Sequence, residues 1–217
     1  MQSTTATLGN MKLTNQTADR SPRAMARLAG FLYLLIAICS GFSFGYVRTT
    51  LIVPGDATAT VSNIMASEWL FRLAIVADAV VFLSEIVLIA MLYTLLKPVN
   101  KTLSLAAAYA RLAMAVMQGM NLLNYCFVLL LVSGAGYLTA FNPDQVHALV
   151  LLFLNAYDYV ALIWGMFFAL HLLVLGYLVY KSGYFPRMLG ILLVVASSGY
   201  FIDSFGTVLL PELRASL

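Results

Sequence analysis

The feature that most constrains this chain is a series of apolar runs, each at least as long as a ~30 Å hydrocarbon core requires of a helix. They cover Leu28–Val47, Trp69–Leu96, Leu103–Val132, Val146–Tyr180 and Met188–Leu210. No soluble core needs so many apolar stretches of this length, and the mean hydropathy of +0.93 agrees. With 62% apolar and 10% charged residues against roughly half and a quarter in a soluble domain, lipid must solvate most of the chain. The expected fold is an all-α polytopic transmembrane bundle of five spans, residues 25–210, between a polar tail (1–24) and a short end (211–217). The first run follows Arg20, Arg23 and Arg27 but lacks a convincing A-x-A cleavage site, so it reads as an uncleaved span rather than a signal peptide.

The connectors carry helix-boundary chemistry. Lys97-Pro98-Val99-Asn100-Lys101 and Lys181-Ser182-Gly183-Tyr184-Phe185-Pro186-Arg187 combine proline or glycine stops with cations. Asn142-Pro143-Asp144 reads as an N-cap with proline at the first helical position. Pro54-Gly55-Asp56 reads as a turn and cap for a short helix through Ala66. Cation counting sets the orientation. An N-in topology places Lys12, Arg20, Arg23, Arg27, Lys97, Lys101, Lys181 and Arg187 in the cytoplasm and only Arg48 and Arg214 outside. Trp69, Phe71, Tyr137 and Phe141 would form the outer aromatic belt, with Tyr93, Tyr180 and Tyr184 at the inner one. A helix from Pro143 to Lys181 would be about 57 Å long. It must therefore tilt, protrude or break near Asn155-Ala156-Tyr157-Asp158, which leaves a short or re-entrant sixth segment as the alternative.

Ionisable groups at membrane depth cost about 2.5–3.5 kcal/mol each on insertion scales, so they turn inward and find partners. The candidates are Asp78, Glu85, Arg111, Asp158, His171 and Asp203. Asp78 and Glu85 are seven residues apart and share a helix face, as do Arg111 and Gln118. Antiparallel spans bring Glu85 and Arg111 to overlapping depths, which predicts an ion pair that His171 can extend. A second layer nearer the outer surface would gather Asp78, Asn121, Asn124, Asp158 and Asp203. Asp158 and His171 lie about 140° apart around an unbroken helix, so one crevice cannot take both. The network serves either as a functional polar cavity or as interhelical glue.

Sharper chemistries find no support. His147 and His171 would be roughly 36 Å apart on one helix, too far to share a haem. No H-E-x-x-H spacing, P-loop, dinucleotide fingerprint or nucleophile motif is present, so no catalytic residue, metal or cofactor is assigned. Cys39 and Cys126 read as small apolar fillers, and no basic stripe points to nucleic acid. Gly41 and Gly45 stand at GxxxG spacing, and Gly190, Ser197, Ser198 and Gly199 give the last span a small-residue side for helix packing.

Val53-Pro54-Gly55-Asp56 and the turn Lys181-Ser182-Gly183 to Pro186-Arg187-Met188-Leu189-Gly190 resemble those of a bacterial polytopic membrane family known only as a domain of unknown function. The likeness covers most of residues 24–210. It implies a multi-pass protein of the bacterial cytoplasmic membrane and brings no substrate or site. Three functions stay open: a non-enzymatic accessory or stress-protection protein, a small carrier or proton-handling protein, and a lipid-modifying enzyme built on His171. The odd number of spans disfavours the inverted repeats of many carriers. The expected partners are the bilayer, a second membrane protein, and a small-molecule or lipid ligand.

Overall fold

The computed structural model describes residues 22–209, with side chains from Ala24 onward. The expected tails therefore lie outside the described residues, apart from the start of the first helix. Among the described residues there are six helices and no strand, and five helices are long and apolar enough to cross a membrane. Helix α1 begins at Pro22–Ser40, continues through a π-helical stretch Gly41–Arg48, and ends in the turn Thr49–Leu51. Helix α2 is the short Ala57–Ala66. The spans α3 (Glu68–Leu96), α4 (Lys101–Val132), α5 (Pro143–Ser182) and α6 (Arg187–Leu209) follow.

Local chemistry sets most boundaries. Asp56 Oδ1 accepts from Ala59 N at 2.8 Å and caps α2, while Asn100 Oδ1 accepts from Leu103 N at 3.0 Å and caps α4. Asn142 and Gln145 form a reciprocal capping box, with Pro143 in the first turn. Gly183 closes α5 with φ +67°, a left-handed conformation that suits glycine at a helix end.

Consecutive spans pack side by side: α1 on α3, α3 on α4, α4 on α5, and α5 on α6, with α2 laid against the N-terminal part of α5. Helix α5 runs unbroken for 40 residues. Its N-terminal extension is neither re-entrant nor a sixth span. Val150 and Leu154 pack with Val61 and Ile64 of α2, and Thr58 Oγ1 lies 3.2 Å from His147 Nδ1. The contacts with α2 cover the N-terminal part of α5, and the helix continues through Asn155 without a break.

Two further expectations change. Phe71 is not a belt residue: it is buried against Tyr125, with ring centroids 5.0 Å apart, whereas Trp69, Tyr137 and Phe141 remain exposed. Gly41 and Gly45 are exposed, and a Cβ added at either would meet nothing within 4 Å. The tight approach occurs instead where Gly176 of α5 faces Gly190 of α6. A Cβ on Gly190 would lie 2.6 Å from the Gly176 carbonyl oxygen. Lipid provides no hydrophobic drive between spans, so such backbone contact is a principal source of helix association.

Candidate functional site: two buried polar clusters

The cluster nearer the Lys97 and Lys181 end of the bundle, called inner below and its counterpart outer, is organised by one guanidinium. Arg111 Nε lies 2.5 Å from Glu85 Oε2, and Nη1 donates to Tyr33 OH at 2.8 Å and meets His171 Nε2 at 2.8 Å. The guanidinium also sits 4.9 Å from the centre of the Tyr33 ring. His171 Nδ1 is 2.9 Å from the Ala107 carbonyl. A guanidinium only donates and a carbonyl only accepts, so His171 must carry its proton on Nδ1 and accept at Nε2. Arg111 and His171 are each 1% exposed and Glu85 is 5% exposed. Four spans, α1, α3, α4 and α5, thus meet at one charge. Beside it the free space is about 10 Å³, near the minimum for a single water.

The outer cluster lies roughly 20 Å further along α5, thirteen residues from His171. Arg48 Nη2 pairs with Asp158 Oδ2 at 2.6 Å, and Nη1 donates to Tyr125 OH at 3.3 Å. Tyr125 and Tyr157 stack with centroids 4.3 Å apart and planes 6° apart. Tyr157 OH donates to Asp78 Oδ2 at 3.2 Å, and Ser43 hydrogen-bonds the same carboxyl. Asn121 Nδ2 donates to the Tyr157 carbonyl at 3.0 Å and Asn124 Nδ2 to Asn121 Oδ1 at 2.9 Å.

The π-helical stretch explains why α1 reaches this layer. With i→i+5 bonding, residues four or five apart fall on one side, which turns Ser43, Val47 and Arg48 toward the bundle. Thr49 and Thr50 hydroxyls bond the carbonyls of Gly45 and Tyr46 at 2.7–3.0 Å as the helix returns to α geometry. Arg48 is therefore no outer-loop cation but part of the buried network.

The structure brings Glu85, Arg111 and His171 together in one cluster, and Asp78, Asn121, Asn124 and Asp158 into or beside the other. Gln118 is half-buried on α4 between them. Asp203 joins neither: it is exposed on α6, because its side chain projects away from α5 while its neighbour Ser204 is buried against Gly165. Sequence reasoning missed Tyr33, Ser43, Arg48, Tyr125 and Tyr157. A signal for the tyrosines existed, since a phenol at membrane depth needs a polar partner as an acid does. Among the described residues no three His, Cys, Asp or Glu side chains gather as metal ligands would.

Five helices long and apolar enough to cross a membrane, four of them joined through buried charge contacts, have the architecture of a multi-pass helical membrane protein. The chain belongs to the family described as Domain of unknown function (DUF4386), which matches residues 28–217. It is also 31% identical over 130 residues to an uncharacterized protein of Archaeoglobus fulgidus, a match covering 60% of this chain and 64% of that protein. No solved structure matches the chain.

Proposed function

We propose that the chain is a non-enzymatic accessory protein of a prokaryotic cytoplasmic membrane, with its amino end on the cytoplasmic side, and that its buried charges hold helices in register rather than move a substrate. The observation that carries this reading is the closure of the inner cluster. Arg111 is committed to Glu85, Tyr33 and His171, and the adjoining space of about 10 Å³ admits no solute larger than water. A carrier needs a site that opens to each side in turn, and a lipid-modifying enzyme needs room for a reacting group.

The test is reconstitution of the full chain in vesicles holding a pH-sensitive dye. Under an imposed potential, proton flux should equal that of empty vesicles. A flux that the chain adds and Glu85→Gln removes would overturn the reading. Cysteines replacing Thr58 and Lys101 should be labelled from the outer and cytoplasmic sides respectively, and the reverse pattern would invert the topology. An accessory role further predicts reciprocal copurification with one membrane protein at fixed stoichiometry.

A further inference from the structure

The two clusters account for the buried charges but not for the opposite feature, an open surface at the cation-rich end. There a lateral groove of about 520 Å³ runs between α5 and α6 and reaches Leu103 of α4. Its floor is the Gly176–Gly190 contact, where the missing side chains let the backbones touch. Leu173, Tyr177 and Tyr180 form one wall and Val194 and Val195 the other. From Leu173 to Tyr180 the groove follows about 10 Å of helix, some two thirds of the ~15 Å depth of one leaflet.

The groove does not end blindly. Tyr177 also lines a polar cleft of about 440 Å³ bounded by Asn100, Lys181, Ser182 and Tyr184. Arg187 lies 5.8 Å from the centre of the Tyr180 ring, which places a second cation beside the junction of groove and cleft. Lys97 and Lys101 flank in sequence the Pro98–Asn100 segment that lines the cleft. Among the described residues, no Asp or Glu occurs in 24–30, 95–103 or 177–190, the segments at this end. An apolar slot that opens into an acid-free cationic cleft is complementary to one kind of occupant.

We infer that this surface binds an anionic phospholipid of the adjoining leaflet, its acyl chain in the α5–α6 groove and its phosphate in the cleft at Lys181. Both cavities fall in the 300–1,000 Å³ range of small-ligand sites. The apolar part supplies contact that any lipid of that leaflet can make, and the cations supply the choice of headgroup.

The test is native mass spectrometry of the full chain in detergent with phosphatidylglycerol or phosphatidylcholine of matched acyl chains, and with glycerol 3-phosphate as a chain-free probe. The parent should retain phosphatidylglycerol several-fold better than phosphatidylcholine and should not retain glycerol 3-phosphate. Lys181→Gln should weaken phosphatidylglycerol about fivefold and leave phosphatidylcholine unchanged. Val195→Trp, which fills the groove, should weaken both lipids. Lys181 and Val195 are exposed, so neither variant disturbs the core. Equal retention of the two lipids by the parent overturns the inference, as does phosphatidylglycerol retention indifferent to both substitutions. Retention of glycerol 3-phosphate as strong as that of the lipid would mark a soluble-anion site and would also overturn it.

Discussion

Arg111→Leu removes the charge on which four helices converge. Glu85 then stays 5% exposed without a counter-ion, and His171 Nε2 loses its donor. Breaking a buried ion pair from one side costs about 3–5 kcal/mol, whereas interhelical hydrogen bonds in membranes average about 0.6 kcal/mol. Stranding this charge therefore costs more than losing a typical interhelical hydrogen bond. At about 2–4 °C per kcal/mol for a chain of this size, the variant should melt about 6–20 °C below the parent in detergent. The compensating variant Glu85→Leu/Arg111→Leu separates lost charge balance from lost packing. It removes the stranded carboxylate and leaves mainly the unmet His171 nitrogen, worth about 1–3 kcal/mol. The double variant should thus be more stable than Arg111→Leu alone. Thermal melting followed by size-exclusion chromatography measures both. A single variant that melts within about 2 °C of the parent, or a double variant no better than the single, would refute the reasoning.

Nitrogen-15 NMR of histidine-labelled protein should find His171 as the Nδ1–H tautomer; a proton on Nε2 would contradict the hydrogen bonds to Ala107 and Arg111. Gly190→Ala and Gly199→Ala, on the same helix, should act in opposite directions. The first drives a Cβ to 2.6 Å from the Gly176 oxygen and costs about 1–3 kcal/mol; the second meets nothing within 4 Å and gains up to about 1 kcal/mol of helix propensity in melting assays. Arg48→Leu should cost only about 1–2 kcal/mol, less than half the Arg111→Leu effect, because the Arg48 and Asp158 side chains are 16% and 30% exposed and water screens the pair. A loss equal to that of Arg111→Leu would show that the outer layer is as dry as the inner one.

The spans were legible because lipid imposes one rule on every segment, a helix apolar over about 20 residues, and the structure's five long helices follow the five runs closely. The connectors were legible because capping is local: Asp56, Asn142 and Gly183 act within a few residues of themselves. The candidate residues were visible as polar groups in oil, but their grouping was visible only in part. Depth along a helix can be counted from its ends, which brings Glu85, Arg111 and His171 level. Azimuth cannot, because it depends on how each helix is rotated against its neighbours. Asp203 therefore looked equivalent to Asp78 until its side chain proved exposed and that of Asp78 buried.

The sequence by itself determined the solvent of this protein, the number of its spans and the cost of its interior charges, since each follows from composition within one helix length. Tertiary structure alone decided that Arg48 turns inward, that Tyr33 completes the Arg111 cluster, and that Gly176 meets Gly190 while Gly41 and Gly45 stay exposed. The physical reason is that these contacts join residues 14 to 110 positions apart. The π-helical stretch that re-aims Arg48 and the rotation of α5 against α4 and α6 are settled by packing of whole helices, which no local pattern encodes.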